Sequence, residues 1–366
     1  MTQTFGFAPN HDEAARQAFV GSLKKYVNFD VESALAPVFE RASAAAPPKT
    51  RAQAAAVLEP HPLYRLWASL TFHSQNMMWD AVQRTTDRSI EGQVAAFAAL
   101  ASAPDRRGSM ALSDQLLVKA PVATTEIHRQ PGGYWRERRP DDVEAALNYA
   151  GTVELYRKAK GMSAGGPPAS DAMGRFVASV ARRYAPDLEP AAILDMGCGT
   201  GEETLAYKRE WPQAQVTGID VARPFIRFAH AHAEQAGVGV HFAEMDAGAT
   251  TLPDASVDLI VSIIMFHETT AAQVHDILRE CWRLLRPGGL VLHLDVPYQP
   301  HRMPLIKQVS NHWQVRHNGE PFWTGFAELD MAAELVRAGF DQGSSFARYE
   351  QTGPASYFFF GGRKPR

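Results

Sequence analysis

The apolar pattern of the chain changes character near its middle. Residues 11 to 103 carry Ala-, Leu- and Val-rich segments such as Asp12 to Lys25 and Val31 to Ala45, broken by Ala46-Pro47-Pro48 and by Glu59-Pro60-His61-Pro62. Breakers so placed bound helices rather than strands. From Leu63 to Arg84, Tyr64, Leu66, Trp67, Leu70, Trp79 and Val82 recur at helical spacing, which predicts a buried face. Residues 104 to 140 keep no period and are punctuated by Pro131-Gly132-Gly133 and Arg139-Pro140, so they are expected to be irregular. Helix returns from Asp141 to Lys160, and Gly165-Gly166-Pro167-Pro168 marks a connector.

Beyond Asp171 short apolar runs alternate with helical stretches. Strands are expected near 192–196, 215–219, 239–244, 257–263 and 290–295, with helices near 202–210, 224–236 and 271–285. Such alternation implies parallel strands joined by right-handed crossovers. Residues 297–325 then break the pattern, and their length and aromatic content suggest a lid-like insertion. A helix over 326–338 and strands near 344–350 and 355–361 end the chain. The expected class is α/β, doubly wound, with a mostly helical N-terminal domain for substrate or dimerisation over 1–165 and a cofactor-binding domain over 166–366.

The first of those strands carries the chemistry. Ala192-Ile-Leu-Asp-Met196 runs into Gly197-Cys198-Gly199-Thr200-Gly201, an apolar run ending in a carboxylate and a turn through glycines at alternate positions. Glycine lets the backbone bend tightly and admit a ligand. A dinucleotide turn spaces its glycines G-x-G-x-x-G and seats a pyrophosphate on the helix N-terminus. Here the spacing is G-x-G-x-G, and Asp195 before it would repel a pyrophosphate and suit a cation. Asp220 closes a second apolar run about 20 residues on, where an acid can accept ribose hydroxyls.

This set resembles the class I S-adenosylmethionine-dependent methyltransferases. The likeness continues through Phe242-Ala-Glu-Met-Asp246-Ala247, Val257-Asp-Leu-Ile-Val-Ser262 and Leu285-Arg-Pro-Gly-Gly-Leu290. It implies a seven-stranded, mainly parallel sheet closed by an antiparallel hairpin, with S-adenosyl-L-methionine as cofactor. It implies a cofactor site at Asp195, Gly197, Cys198, Gly199, Gly201, Asp220, Val221, Asp246, Ala247 and Ser262, with Tyr156 covering it from the preceding helix. His267, in Ile263-Ile-Met-Phe-His267-Glu268, falls where small-molecule O-methyltransferases of this architecture carry a catalytic histidine. That family follows its histidine with Asp-Trp, whereas Glu268-Thr269 follows here. His267 is therefore expected as a base for O-methylation, with Glu268 beside it. Base-independent N- or C-methylation and a non-catalytic cofactor-binding role are the alternatives. His312, Trp313 and Trp323 are expected to line the acceptor pocket, because aromatics on the ligand edge of such a sheet commonly do.

Composition narrows the partners. Net charge is −3 and 21% of residues are charged, which gives no reason to expect a nucleic-acid backbone or an anionic membrane as partner. A small-molecule acceptor fits better, and a homodimer is compatible. Cys198 and Cys281 cannot form a disulfide framework, and no ligand spacing suggests a metal. No basic segment followed by an apolar stretch marks a secretory signal at the N-terminus, and no apolar run approaches a membrane span, so a cytoplasmic protein is expected.

Overall fold

In a computed structural model, residues 4–161, 170–296, 302–352 and 355–366 are described. The boundary expected at 165/166 lies outside them, as do residues 297–301 at the start of the expected insertion. No helix among them is long and apolar enough to cross a membrane.

The chain alternates as its pattern implies. Strands β1 (Ser109–Ala111), β2 (Ala192–Met196), β3 (Gln215–Asp220), β4 (His241–Glu244), β5 (Val257–Ile263), β6 (Leu285–Asp295), β7 (Ser345–Thr352) and β8 (Ala355–Arg363) form an 8-stranded sheet in the order β1-β4-β3-β2-β5-β6-β8-β7. Neighbours from β1 to β6 pair in parallel, and β8 runs antiparallel to both β6 and β7. β2 and β5 are paired neighbours, but the strand order reverses at β2, with β3 and β4 on one side and β5 and β6 on the other, so the carboxyl ends of β2 and β5 frame a crevice, the place where such sheets take ligands.

Seven strands match the expected ones, and β1 is an addition. It comes from the stretch that carried no periodicity, since three residues at a sheet edge are too few to show a period of two. Its register pairs Ser109 with His241 and Ala111 with Ala243.

Helices α1 (His11–Tyr26), α2 (Leu35–Ser43), α3 (Arg51–Leu58), α4 (Pro62–Ser102) and α5 (Glu144–Gly161) build the N-terminal region. They do not stand apart from the sheet. Phe5, Ile90, Phe97 and Val143 share one apolar cluster with Ala222 and with Phe225, Phe228 and Ala231 of α8 (Arg223–Gln235). Helices α6 (Ala172–Tyr184) and α7 (Glu202–Glu210) cover the sheet beside β2, and α9 (Ala271–Leu284) connects β5 to β6.

The stretch 302–325 is not the extended loop its prolines and glycines suggested. It folds as α10 (Leu305–His317) followed by α11 (Trp323–Ala327), and α12 (Met331–Ala338) leads into β7. Helix α10 turns its apolar side to the N-terminal helices: Val309 and Trp313 are buried with Val27, Leu35, Leu58 and Trp67. The Trp67 and Trp313 rings lie 5.2 Å apart.

Trp313 is thus a strut between α10 and the N-terminal helices. Trp313→Ala is expected to cost about 3 kcal/mol, the usual scale for emptying a large aromatic from a core. Thermal unfolding should show the loss as a lowered midpoint, and cofactor affinity should stay near normal.

Candidate active site

Backbone conformation shapes the glycine turn first. Gly197, Gly199 and Gly201 take φ of +68°, +52° and +82°, values that L side chains rarely adopt. A Cβ on Gly197 would meet the Met265 side chain at 2.7 Å, whereas one on Gly199 would meet nothing within 4 Å. Gly199 therefore borders open space. The Gly201 position packs against Ala229 and Phe242 and opens α7, so it serves the turn rather than the cavity.

The open space is a cavity at the carboxyl ends of β2, β3 and β5. Gly197, Gly199, Asp220, Val221, Asp246 and Ala247 line one side of it. Ile263, Ile264, Met265 and Glu268, following β5, line another. A third wall comes from the chain between β1 and β2: Val118, Val122, Ile127, Tyr134, Trp135 and Tyr149. Periodicity gave no hint of that wall. Tyr149, like Tyr156, stands on the helix from which the resembling family covers its cofactor, whereas the pair Tyr134-Trp135 behind Pro131-Gly132-Gly133 carries no period that would assign it.

Asp220 is gripped by the turn. The Gly199 N–H donates to one carboxylate oxygen at 3.1 Å and the Ala222 N–H to the other at 2.9 Å. Burial nonetheless raises its pKa to about 6, these N–H groups opposing the rise. Asp195 lies underneath, 2% exposed, and accepts from the Thr204 hydroxyl at 2.6 Å; burial pushes it to about 7. Glu202 and Glu203 at the start of α7 are pushed to about 7, by burial first and by neighbouring carboxylates second. Four carboxylates crowded around one turn favour a cationic ligand.

The other sequence candidates sit elsewhere. Cys198 is buried in the core beside β3, its N–H donating to the Ile219 carbonyl. Ser262 is fully buried and its hydroxyl bonds His293 Nδ1 at 2.7 Å. Tyr156 is half-exposed, with the Lys24 ammonium 5.3 Å from its ring centroid and its hydroxyl 3.4 Å from Gln75 Oε1, away from the cavity wall. His312 borders a small cleft with Arg51, Met303, Gln308 and Trp323. The Trp323 ring stands 6.3 Å from that of His267.

His267 is not on the cavity wall either. Its Nδ1 pairs with Asp295 Oδ1 at 2.7 Å, and its Nε2 lies 3.9 Å from Glu320 Oε2. Asp295 is fixed in turn by the Phe266 and Val296 N–H groups at 2.8 and 2.7 Å. Burial opposes a charge on His267, but Asp295, Glu268 and Glu320 outweigh it and raise its pKa to about 8. It is therefore mostly protonated at neutral pH. A free neutral base, as the sequence suggested, is not what this environment makes.

Glu268 is the member that reaches the cavity. His128 Nε2 and the Tyr134 hydroxyl both engage its Oε1, at 2.9 and 3.2 Å, and His128 Nδ1 pairs with Glu320 Oε1 at 2.5 Å. Burial works against charge on His128, yet Glu320 and Glu268 hold its pKa well above the imidazole range. A continuous line results: Tyr134 and His128 on Glu268, Glu320 between the two histidines, Asp295 behind His267. His128 stands 140 residues from Glu268 and still further from Glu320, which kept the line out of sight in the sequence.

The acids at the turn make a pH-dependent demand. Their folded pKa values exceed the unfolded carboxylate range near 4, so they favour the fold while protonated and that contribution is lost as pH rises through about 6–7. Without cofactor, Asp195→Asn should raise the melting temperature most at pH 8, by about half as much at pH 5.5, and hardly at all below pH 4. Equal effects across that range would remove the repulsion.

Comparison with known proteins agrees with this geometry. A family model described as a methyltransferase domain matches residues 193–289. The chain is 38% identical over 123 residues to a demethylmenaquinone methyltransferase of Thermus thermophilus, covering 32% of this chain and 55% of that protein. It is 32% identical over 145 residues to a malonyl-[acyl-carrier protein] O-methyltransferase of Methylococcus capsulatus, covering 40% and 46%. A tRNA N(3)-methylcytidine methyltransferase of Drosophila melanogaster is 27% identical over 165 residues, covering 42% and 50%. The chain thus spans about half the length of the curated relatives it matches. With the alternate-glycine turn, the acid after β3 and the mainly parallel sheet, these matches identify residues 193–289 as a methyltransferase domain, similar to those of the class I S-adenosylmethionine-dependent enzymes.

Proposed function

We propose that the chain transfers the methyl group of S-adenosylmethionine to a hydroxyl oxygen of a small, apolar or aromatic acceptor. The observation that carries this reading is Glu268: a partly buried carboxylate, bonded to His128, on the wall of a cavity that Val122, Ile127, Tyr134, Trp135 and Met265 also line. Asp220 would take the ribose hydroxyls, Asp246 and Ala247 the adenine edge, and the backbone at Gly197 and Gly199 the amino-acid arm. When bound, the sulfonium supplies an electrophilic methyl group. The chain's own part is to hold the acceptor in line, keep water out and receive a proton. In-line positioning supplies much of such a rate, and a placed proton acceptor typically adds about 10²–10⁴-fold.

The residues divide that work. Tyr134 and Trp135 give flat apolar surface to the acceptor, and Tyr149, 5.7 Å from Tyr134 between ring centroids, backs them. Glu268 Oε1 is committed to His128 and Tyr134, which leaves Oε2 for an acceptor hydroxyl. As that oxygen bonds to the methyl carbon and the carbon–sulfur bond breaks, its proton passes to the Glu268–His128 pair. An RNA acceptor, suggested by the tRNA-modifying relative, finds less support: Lys119 is the one cation among the described lining residues.

Incubating the chain with methyl-labelled cofactor and either a metabolite extract or total RNA tests the proposal. Label should appear in a small organic-soluble product, and label in RNA alone would overturn it. Once an acceptor is in hand, Glu268→Gln should lower kcat about 10²-fold with cofactor affinity within twofold of wild type. A variant keeping more than a third of wild-type kcat would favour transfer to nitrogen or carbon without proton removal.

A further inference from the structure

The polar line behind the cavity has the composition of a metal centre. His128, His267 and Glu268 each offer one donor atom, and these atoms lie within 4.8 Å of one another. Glu320 adds a fourth: Oε2 is buried, makes no hydrogen bond and lies 3.9 Å from His267 Nε2. We propose that His128, His267, Glu268 and Glu320 bind one divalent first-row transition ion.

Three features separate this group from a chance meeting of charged side chains. The first is the pair Asp295–His267. Asp295 occupies Nδ1 and is itself fixed by two backbone N–H groups, so the ring can offer only Nε2, which faces Glu320. A carboxylate on the far nitrogen of a ligating histidine is the usual way its orientation is set. The second is the backbone of His128, which sits at φ 53° and ψ 15°. Its N–H donates to the Gly319 carbonyl at 2.7 Å, while its carbonyl accepts from Gln75 Nε2 at 2.9 Å and Trp79 Nε1 at 2.8 Å. A left-handed non-glycine residue persists when its surroundings over-determine it, and such residues gather at functional sites. The third is the unsatisfied oxygen of Glu320, since a buried carboxylate atom without a partner is costly.

The donors also indicate the class of ion. Imidazole suits Zn²⁺, Fe²⁺ and their neighbours, whereas Mg²⁺ and Ca²⁺ prefer oxygen alone. Two imidazoles with two carboxylates favour Zn²⁺ or Mn²⁺ over Mg²⁺. Bonds of about 2.0–2.2 Å bring donors to roughly 3.3 Å from one another, so the donors of His128, His267 and Glu268, now within 4.8 Å, close together and Glu320 turns Oε2 in beside His267. His128 exchanges one of its two carboxylate contacts for the ion. Because Glu268 also lines the cavity, a bound ion would stand within one carboxylate of an acceptor oxygen; that last point rests on the methyltransferase proposal, whereas binding of the ion does not.

Calorimetric titration of the full chain, stripped with a chelator and dialysed, tests the site without any assay of transfer. The wild type should bind one Zn²⁺ or Mn²⁺ per chain, at least tenfold more tightly than Mg²⁺. His128→Gln and His267→Gln should each weaken binding by 100-fold or more, Asp295→Asn by about 10–100-fold, and His11→Ala, a surface change, not at all. Circular dichroism melts establish that each variant is folded. Absence of stoichiometric binding by the folded wild type overturns the proposal, as does binding that survives both histidine changes. Metal binding without any methyl transfer would retain the site and remove the reaction; transfer without metal binding would do the reverse.

Discussion

Crowding of carboxylates around the glycine turn is the constraint on which the site depends. Asp195, Glu202, Glu203 and Asp220 are drawn together by the β2–α7 connection and the end of β3, and burial lifts each well above its ordinary pKa. A fold optimised only for stability would not gather them. Their neighbourhood becomes favourable when a cation lies among them, and a nucleoside bearing a sulfonium and an ammonium group supplies two. The same turn leaves open space over Gly199 and turns the Gly199 N–H onto Asp220, so its shape and its charge select for the same ligand.

The second half of the site is brought by the N-terminal region. Residues 109–111 add an edge strand to the sheet, and the segment that follows crosses the mouth of the crevice to place Tyr134 and Trp135 on its wall. His128 fastens this segment at both ends of its ring, to Glu268 after β5 and to Glu320 before α11. Helix α4 holds it from behind through Gln75 and Trp79. The cavity wall and the charged line behind it are thus one construction, in which two regions of the chain meet over a sheet that belongs mainly to the second.

Much of the sheet was legible because its signals are local. Continuous apolar runs bounded by Gly, Pro and Asp mark β2, β3 and β5, and the alternate glycines at 197, 199 and 201 announce a turn that only glycine adopts. Asp220, Asp246 and Glu268 could be picked out as residues at strand ends. What stayed hidden is long-range. Nothing local distinguishes His128 among thirteen histidines, since its partners lie at 268 and 320. Trp313 read as a pocket aromatic because its neighbours are aromatic too, while its partner Trp67 belongs to a helix about 250 positions earlier. Residues 302–325 read as loop because prolines and glycines punctuate them, yet all but Gly325 fall outside the helices: Pro304 precedes α10, and Gly319 and Pro321 lie between α10 and α11.

Titrating S-adenosylmethionine into the wild type and into Gly199→Val at pH 8 tests most directly whether this turn is a seat for that cofactor. A Cβ at this position meets no protein atom within 4 Å and points into the space assigned to the ligand, although the positive φ of Gly199 strains any side chain there. One cofactor per wild-type chain is expected, with no binding to a folded Gly199→Val chain and none of NAD to either. Normal binding by the valine variant, or NAD binding as tight as that of S-adenosylmethionine, would contradict the account.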